Sequence, residues 1–161
     1  LEILSPKNAI HKKKTEFKFQ RGYFYLASEP AGFDPCHSSV DFKTGSNSSQ
    51  KKPLVIGVHG GGGKGDAMGA IKFFRNNGFA TLVFDAYEMN GITDYRLNMV
   101  KYGNTVRQQM IFPVTMGAVE WALRQKNIDT NNIYVWGISN GATVVANIAA
   151  AFDKTKIKAV F

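Results

Sequence analysis

The sequence predicts an α/β fold in which a mostly parallel sheet carries helices on both faces. Three observations support this prediction. Continuous apolar runs of strand length recur along the chain, as expected for strands that are buried on both faces. Segments with a helical spacing of apolar residues alternate with these runs, which favours β-α-β units. At 161 residues the chain is long enough for one core, and we expect a single domain over 1–161.

The front of the chain, residues 1–52, predicts an antiparallel hairpin followed by a loop. Apolar and aromatic residues dominate 17–20 and 23–27, and the Arg-Gly pair between them suits a turn. Residues 29–52 contain proline, glycine and five serines without a clear period. We expect this stretch to be a surface loop.

The remainder, residues 53–161, predicts the β/α core, which continues through the serine motif described below. The apolar runs and helical periods place strands and helices in alternation: strands at 53–59, 79–84, 133–136 and from 156 onward, and helices at 67–77, 106–126 and 142–152. The last apolar segment ends without a cap, a turn or a polar tail. We therefore expect the sheet to be incomplete at its C-terminal side.

Single residues refine this order of elements. Gly78 stands where glycine commonly ends a helix, and Pro113 is expected to start or kink the second helix. Residues 127–132 are rich in Asn and Asp and predict a turn. Residues 86–105 are polar and weakly patterned, so we expect them to cross the surface.

The charge distribution argues against nucleic acid as a partner. The net charge is +8, but residues 1–52 carry 9 basic against 5 acidic side chains and residues 53–161 carry 11 against 7, so no basic block dominates.

No apolar run approaches the roughly 18 residues that cross a bilayer, so we expect no membrane partner. One cysteine, Cys36, excludes an internal disulfide framework. The chain does not begin with Met, which favours a processed or exported protein, while compartment and oligomeric state stay open.

A serine lies between two glycines at residues 137–141, which read Gly-Ile-Ser-Asn-Gly. The pattern matches GxSxG, in which a strand turns sharply into a helix and lifts the serine side chain above the sheet. Small residues two positions to either side leave room for such a turn. The first N–H groups of the following helix would then face the oxygen of Ser139 and any oxyanion formed there.

A second glycine cluster, His-Gly-Gly-Gly-Gly-Lys-Gly, follows the first buried strand at residues 59–65. A nucleoside triphosphate loop does not fit it, because the position after the lysine is glycine instead of Ser or Thr. A dinucleotide site does fit. Gly60, Gly62 and Gly65 satisfy GxGxxG, and Asp85 lies where a ribose-binding acid would be. An NAD(P)-binding oxidoreductase is therefore an alternative, although it leaves His59 and the GxSxG motif unexplained.

Taken together, the HGGGG cluster and the approach NIDTNNIYVWGISNG resemble the α/β-hydrolase superfamily over residues 15–161. Within it, the chain is most similar to dienelactone hydrolase-like enzymes and related carboxylesterases. The resemblance implies that Ser139 is the nucleophile in the hydrolysis of a small ester, without a cofactor or a metal. It implies that the backbone N–H groups of Asn140 and Gly61, with Gly62 possible, hold the oxyanion. Dienelactone hydrolases proper look to have a cysteine at the nucleophile position, so a serine favours general ester hydrolysis.

The resemblance also implies a triad acid and a histidine after Ser139, but no histidine follows it here. His59 and Asp85 are expected to have structural roles at strand ends, and Asp153 to lie at a helix end. His11 and His37 are the remaining candidates for a base. We expect the triad Asp and His in a missing C-terminal portion, which would leave these 161 residues inactive alone. The other alternative is a binding protein that keeps the fold without catalysis.

Overall fold

The computed structural model of the protein describes residues 30–45, 50–93, 103–152 and 156–161. These residues form one five-stranded sheet with helices packed on it. The strands are β1 (Asp41–Lys43), β2 (Lys52–Val58), β3 (Ala80–Val83), β4 (Ile128–Gly137) and β5 (Ala159–Val160). The helices are α1 (Met68–Asn76), α2 (Ala86–Met89), α3 (Asn104–Ala122) and α4 (Asn140–Ala151), with a 3₁₀ helix at Gly63–Ala67.

The sheet order is β1-β3-β2-β4-β5, and β1 alone runs antiparallel to its neighbour. The predicted mostly parallel α/β sheet is therefore confirmed. The antiparallel pair is β1 with β3, and the hairpin expected over 17–27 lies outside the described residues. The expected surface loop at 29–52 is wrong where Asp41–Lys43 forms the edge strand β1.

The two faces of the sheet bury different clusters of side chains, because successive residues of a strand point to opposite faces. Val55 and Val83 pack with Ile71 of α1 on one face. The opposite face carries the larger core, in which strand residues meet the apolar faces of α3 and α4. Its fully buried members include Leu54, Ile56, Leu82, Met110, Ile111, Val114, Ile133, Val135 and Ile148. The expectation of helices on both faces is confirmed.

Helix α1 ends as its sequence predicts. Gly78 has φ +87°, a left-handed conformation that glycine adopts without steric cost. Its N–H donates to the carbonyl of Arg75 at 3.2 Å, and the N–H of Phe79 donates to the carbonyl of Phe74 at 3.2 Å. These two bonds define a Schellman motif, and the rings of Phe74 and Phe79 supply its usual hydrophobic contact.

The boundaries of three other segments differ from the prediction. Helix α3 begins at Asn104, so Pro113 lies inside it and does not start it. Residues 128–132, expected as a turn, are the first part of β4, where the pairing with β2 shifts register at a bulge. Part of the expected surface excursion, Ala86–Met89, is instead the short helix α2. Among the described residues, no helix is long and apolar enough to span a bilayer.

Candidate active site

Ser139 occupies a strained backbone conformation at the turn from β4 into α4. Its φ is 54° and its ψ is −118°, and among the described residues it alone has positive φ without being glycine. Such a conformation costs on the order of 1–3 kcal/mol and persists only where the surrounding structure enforces it. The side chain is exposed and makes no capping hydrogen bond to α4. Its hydroxyl is therefore not used by the helix that it precedes.

The glycines on either side of this turn have no room for a side chain. A Cβ added to Gly137 would lie 2.6 Å from the carbonyl oxygen of Gly141. A Cβ added to Gly141 would overlap the carbonyl oxygen of Val58 and lie 2.5 Å from that of His59. The first turn of α4 thus packs directly on the backbone at the end of β2, which explains the glycines of the GxSxG pattern.

The register of two parallel strands brings the glycine cluster to Ser139. Val58 of β2 pairs with Gly137 of β4, and the N–H of Ile138 donates to the carbonyl of Val58 at 3.2 Å. Two residues further along each chain segment lie Gly60 and Ser139. A Cβ on Gly60 would be 3.1 Å from the Cβ of Ser139. The two motifs therefore meet at one edge of the sheet, as the hydrolase interpretation requires.

The backbone N–H groups near Ser139 differ in what they bind. The N–H of Asn140 belongs to the first residue of α4 and has no acceptor within that helix. Within the described part of the chain, the N–H of Gly61 has no acceptor either. The N–H of Gly62, in contrast, donates to the Oδ2 atom of Asp66 at 2.8 Å. Of the two glycines, Gly61 alone therefore has an N–H without an acceptor among the described residues.

Asn140 is held by two side chains of α3 that no sequence pattern indicated. The residue is 6% exposed. The Oδ1 atom of Asn140 accepts a hydrogen bond from Gln108 at 3.1 Å, and its Nδ2 group donates to Asn104 at 3.4 Å. Gln108 also lines a cleft of about 260 Å³ between α3 and α4, together with Thr105, Gln109, Phe112, Val144 and Asn147. Gln108 thus links the lining of the cleft to the first turn of α4 through its hydrogen bond to Asn140.

His59 is fully buried and orders the start of the glycine cluster. Its Nδ1 atom lies 2.8 Å from the carbonyl oxygen of Gly60, and its Nε2 atom accepts the N–H of Ala86 at 2.9 Å. This pattern fits a neutral imidazole with the proton on Nδ1. Since Nε2 acts as an acceptor, its 4.0 Å approach to Asp85 is not an ion pair. The expected structural role of His59 is confirmed.

Burial of His59 predicts a loss of stability in mild acid. Burial lowers the pKa of His59 from its ordinary value of 6.5, against the smaller opposing effect of the bond to Gly60. Below pH 6.5 the unfolded chain therefore binds a proton that the folded chain does not. The free energy of unfolding should fall by up to about 1.4 kcal/mol per pH unit from this group, until the folded pKa is reached.

Urea unfolding of the protein at several pH values between about 7.5 and 5 measures this slope. The variant His59→Gln should show a shallower dependence, whatever its absolute stability. Ser38→Ala, which changes an exposed residue without a titratable side chain, is the control and should keep the slope of the original chain. Equal slopes for His59→Gln and the original chain would contradict the prediction.

Asp85 is occupied by backbone groups at the end of β3. The carboxylate is 1% exposed and accepts the N–H groups of Lys64, Tyr87 and Glu88 at 2.7, 3.0 and 3.1 Å. It therefore caps α2 and holds the start of the 3₁₀ helix through Lys64. The expected strand-end role of Asp85 is confirmed.

Three features in and around the glycine cluster contradict the dinucleotide alternative. The Asp66 carboxylate fills the inside of the loop, where a Cβ on Gly62 would overlap its Oδ1 atom, so a pyrophosphate would meet a negative charge. Gly65 has open space around it, although the third glycine of a dinucleotide motif allows close packing. The buried Asp85 offers no access to a ribose.

The described residues include no histidine in hydrogen-bond contact with Ser139. His37 bonds instead to the hydroxyl of Ser39 at 2.8 Å. His11 and Asp153 lie outside the described residues. No group of three or more His, Cys, Asp and Glu side chains within the described ranges could hold a metal ion.

Comparison with known proteins gives structural neighbours only. A scan against protein-family models finds no match, and a comparison with curated proteins finds none either. Among solved structures, the α/β hydrolase GrgF from a Penicillium species matches with a TM-score of 0.51 and 22% identity, covering 76% of this chain and 44% of that one.

Two further structures match with a TM-score of 0.55. A protein assigned as an acetyl xylan esterase from Bacteroides fragilis has 17% identity and covers 71% of this chain and 38% of its own. A protein assigned as a dienelactone hydrolase from Klebsiella pneumoniae has 16% identity and covers 72% and 50%. The chain has an α/β-hydrolase, dienelactone-hydrolase-like fold, as the resemblance predicts, and it spans at most half the length of these three structures.

Proposed function

We propose that this chain carries the nucleophile of a serine hydrolase that cleaves small carboxylic esters through an acyl-enzyme on Ser139. The conformation of Ser139, with φ 54° and ψ −118° at a strand-to-helix turn beside the glycine cluster, carries the proposal. A strained serine with an exposed side chain is the arrangement that nucleophilic attack needs. The fold shared with proteins assigned as an esterase and a dienelactone hydrolase supports ester hydrolysis.

In the proposed reaction, the Oγ atom of Ser139 attacks the ester carbonyl carbon while a base takes its proton. The negative charge that develops on the carbonyl oxygen is stabilised by the N–H groups of Asn140 and Gly61. The tetrahedral intermediate then expels the alcohol, which receives the proton, and water hydrolyses the acyl-enzyme in a second step. Gly62 is the weaker candidate for the oxyanion, because Asp66 already accepts its N–H.

The base is proposed to lie outside these 161 residues. A serine hydroxyl is a weak nucleophile without a base within hydrogen-bond reach. Both ring nitrogens of His59 are engaged, and His37 bonds to Ser39. The superfamily order of nucleophile, acid and histidine requires the two missing residues after Ser139. This agrees with a chain that spans at most half the length of the three structures it matches.

A fluorophosphonate probe tests the proposal, since such probes phosphonylate serines that a base has activated. We expect the complete protein that contains this chain to be labelled on Ser139, as located by peptide mass spectrometry. Ser139→Ala should remove the label, and Ser38→Ala, which changes another exposed serine, should retain it. A folded complete protein without any label would favour the non-catalytic binding protein instead.

A further inference from the structure

Asp66 lies inside the curve of the glycine cluster, on the side where Gly60 adjoins Ser139. Its Oδ2 atom accepts the N–H of Gly62 at 2.8 Å. A Cβ added to Gly60 would lie 3.0 Å from that same oxygen and 3.1 Å from the Cβ of Ser139. The carboxylate and the serine therefore flank one position at the surface of the loop.

The charge of Asp66 is exposed and is not neutralised by any described residue. No Lys, Arg or His nitrogen of the described ranges forms an ion pair with it. The nearest lysine in sequence, Lys64, directs its Nζ group to the carbonyl of Ser39 at 2.8 Å. Asp66 therefore places one exposed negative charge on the side of the glycine cluster that adjoins Ser139.

We propose that Asp66 sets the preference of the enzyme for the charge of its substrate. The enzyme should favour esters with a positive group near the scissile carbonyl over esters with a negative group there. This inference rests on the function proposed above. An anionic substrate group would approach a fixed carboxylate at short range, whereas a cationic group would be attracted to it. The same carboxylate positions the loop through its bond to Gly62, so its charge and its hydrogen bond must be tested separately.

Three acetate esters of similar size separate charge from shape. They are acetylcholine, which is cationic, 3,3-dimethylbutyl acetate, which is its neutral isostere, and the acetate ester of isethionate, which is anionic. All three form the same acetyl-enzyme, so differences in kcat/KM report the acylation step alone. Acetate release by the complete protein, followed in a pH-stat, gives kcat/KM for each ester.

For the original enzyme, we expect kcat/KM for the cationic ester to exceed that for the anionic ester by about tenfold or more at low ionic strength. Asp66→Asn keeps an oxygen that can accept the N–H of Gly62 and removes the charge. This variant should reduce the cationic-to-anionic ratio about tenfold. Asp66→Ala loses both properties and should also lower kcat for the neutral ester. Glu120→Gln on α3 removes one negative charge elsewhere and should leave the ratio unchanged.

Salt provides a second measurement that needs no variant. Raising the ionic strength from about 0.02 M to about 0.5 M shortens the screening length and should shrink the ratio in the original enzyme. A ratio that Asp66→Asn and salt both leave within twofold would overturn the inference, as would a preference for the anionic ester. If the complete protein released acetate from none of the three esters, the proposed function itself would fail.

Discussion

Replacing Ser139 with Ala is expected to lower kcat for p-nitrophenyl acetate in the complete protein by about 10⁴-fold to 10⁶-fold. The hydroxyl forms the covalent intermediate, so its removal leaves only the catalysis provided by binding and by the N–H donors. Release of p-nitrophenol, measured with active enzyme at known concentration, gives this value directly.

The matched control for this experiment is Ser38→Ala, because Ser38 is also exposed and belongs to no part of the candidate site. We expect its turnover to equal that of the original protein. Urea unfolding should show that Ser139→Ala keeps its fold, since alanine occupies the same backbone conformation at similar cost. Turnover in a folded Ser139→Ala variant within tenfold of the original would remove this residue from the mechanism.

Replacing Gly141 with Ala should cause the largest loss of stability among single changes near the site. The added Cβ overlaps the backbone oxygen of Val58 and lies 2.5 Å from that of His59, so neither neighbour can move aside as a flexible side chain could. We expect the free energy of unfolding to fall by about 3 kcal/mol or more, toward the upper end for overpacked sites. Esterase turnover should fall with it, because α4 must shift away from β2.

Gly69→Ala is the control for this substitution. Gly69 lies near the start of α1 and has no atom within 4 Å of an added Cβ. Alanine there should raise stability by up to about 1 kcal/mol, because it favours the helix. Urea midpoints measure both variants. A Gly141→Ala protein as stable as the original would show that the packing of α4 on β2 is looser than described.

The sequence patterns predicted the central strands because a strand that is buried on both faces consists of a continuous run of apolar residues. Leu54, Ile56 and Val58 alternate with Val55 in one unbroken apolar run, since both faces of β2 are covered. Strand β1, with the sequence Asp-Phe-Lys, contains no such apolar run. It has three residues, and its pairing with β3 depends on the tertiary structure and not on its own period.

The errors at helix and turn boundaries arise where tertiary packing overrides local preference. Pro113 was expected to start or kink the helix, yet α3 continues on both sides of it. The neighbouring residues Met110, Ile111 and Val114 are fully buried in the core, and this packing favours the continued helix. The Asn-rich segment before Ile133 suggested a turn, yet it extends β4 through a bulge. Local signals cannot show that a neighbouring strand accepts these residues.

The candidate site was predictable where it depends on backbone shape and unpredictable where it depends on distant side chains. Ser139 with its flanking glycines has a sequence signature, because only small residues fit that turn. Asp66 has none, since an acidic residue at the start of a helix is common on any solvated surface. Gln108 contacts Asn140 from 32 residues away, which no local pattern encodes.

The hydrogen-bond ladder around the β4 turn has a further consequence for how this scaffold tolerates change. The N–H of Gly137 is held by the carbonyl of Phe161 and that of Ile138 by the carbonyl of Val58, so two flanking strands clamp the junction through main-chain atoms. Because these bonds involve main-chain atoms only, substitution of most side chains would leave this clamp intact. Side-chain substitutions in the cleft between α3 and α4 should therefore leave the junction in place, whereas insertion or deletion of a residue at 137–139 should shift these bonds out of register.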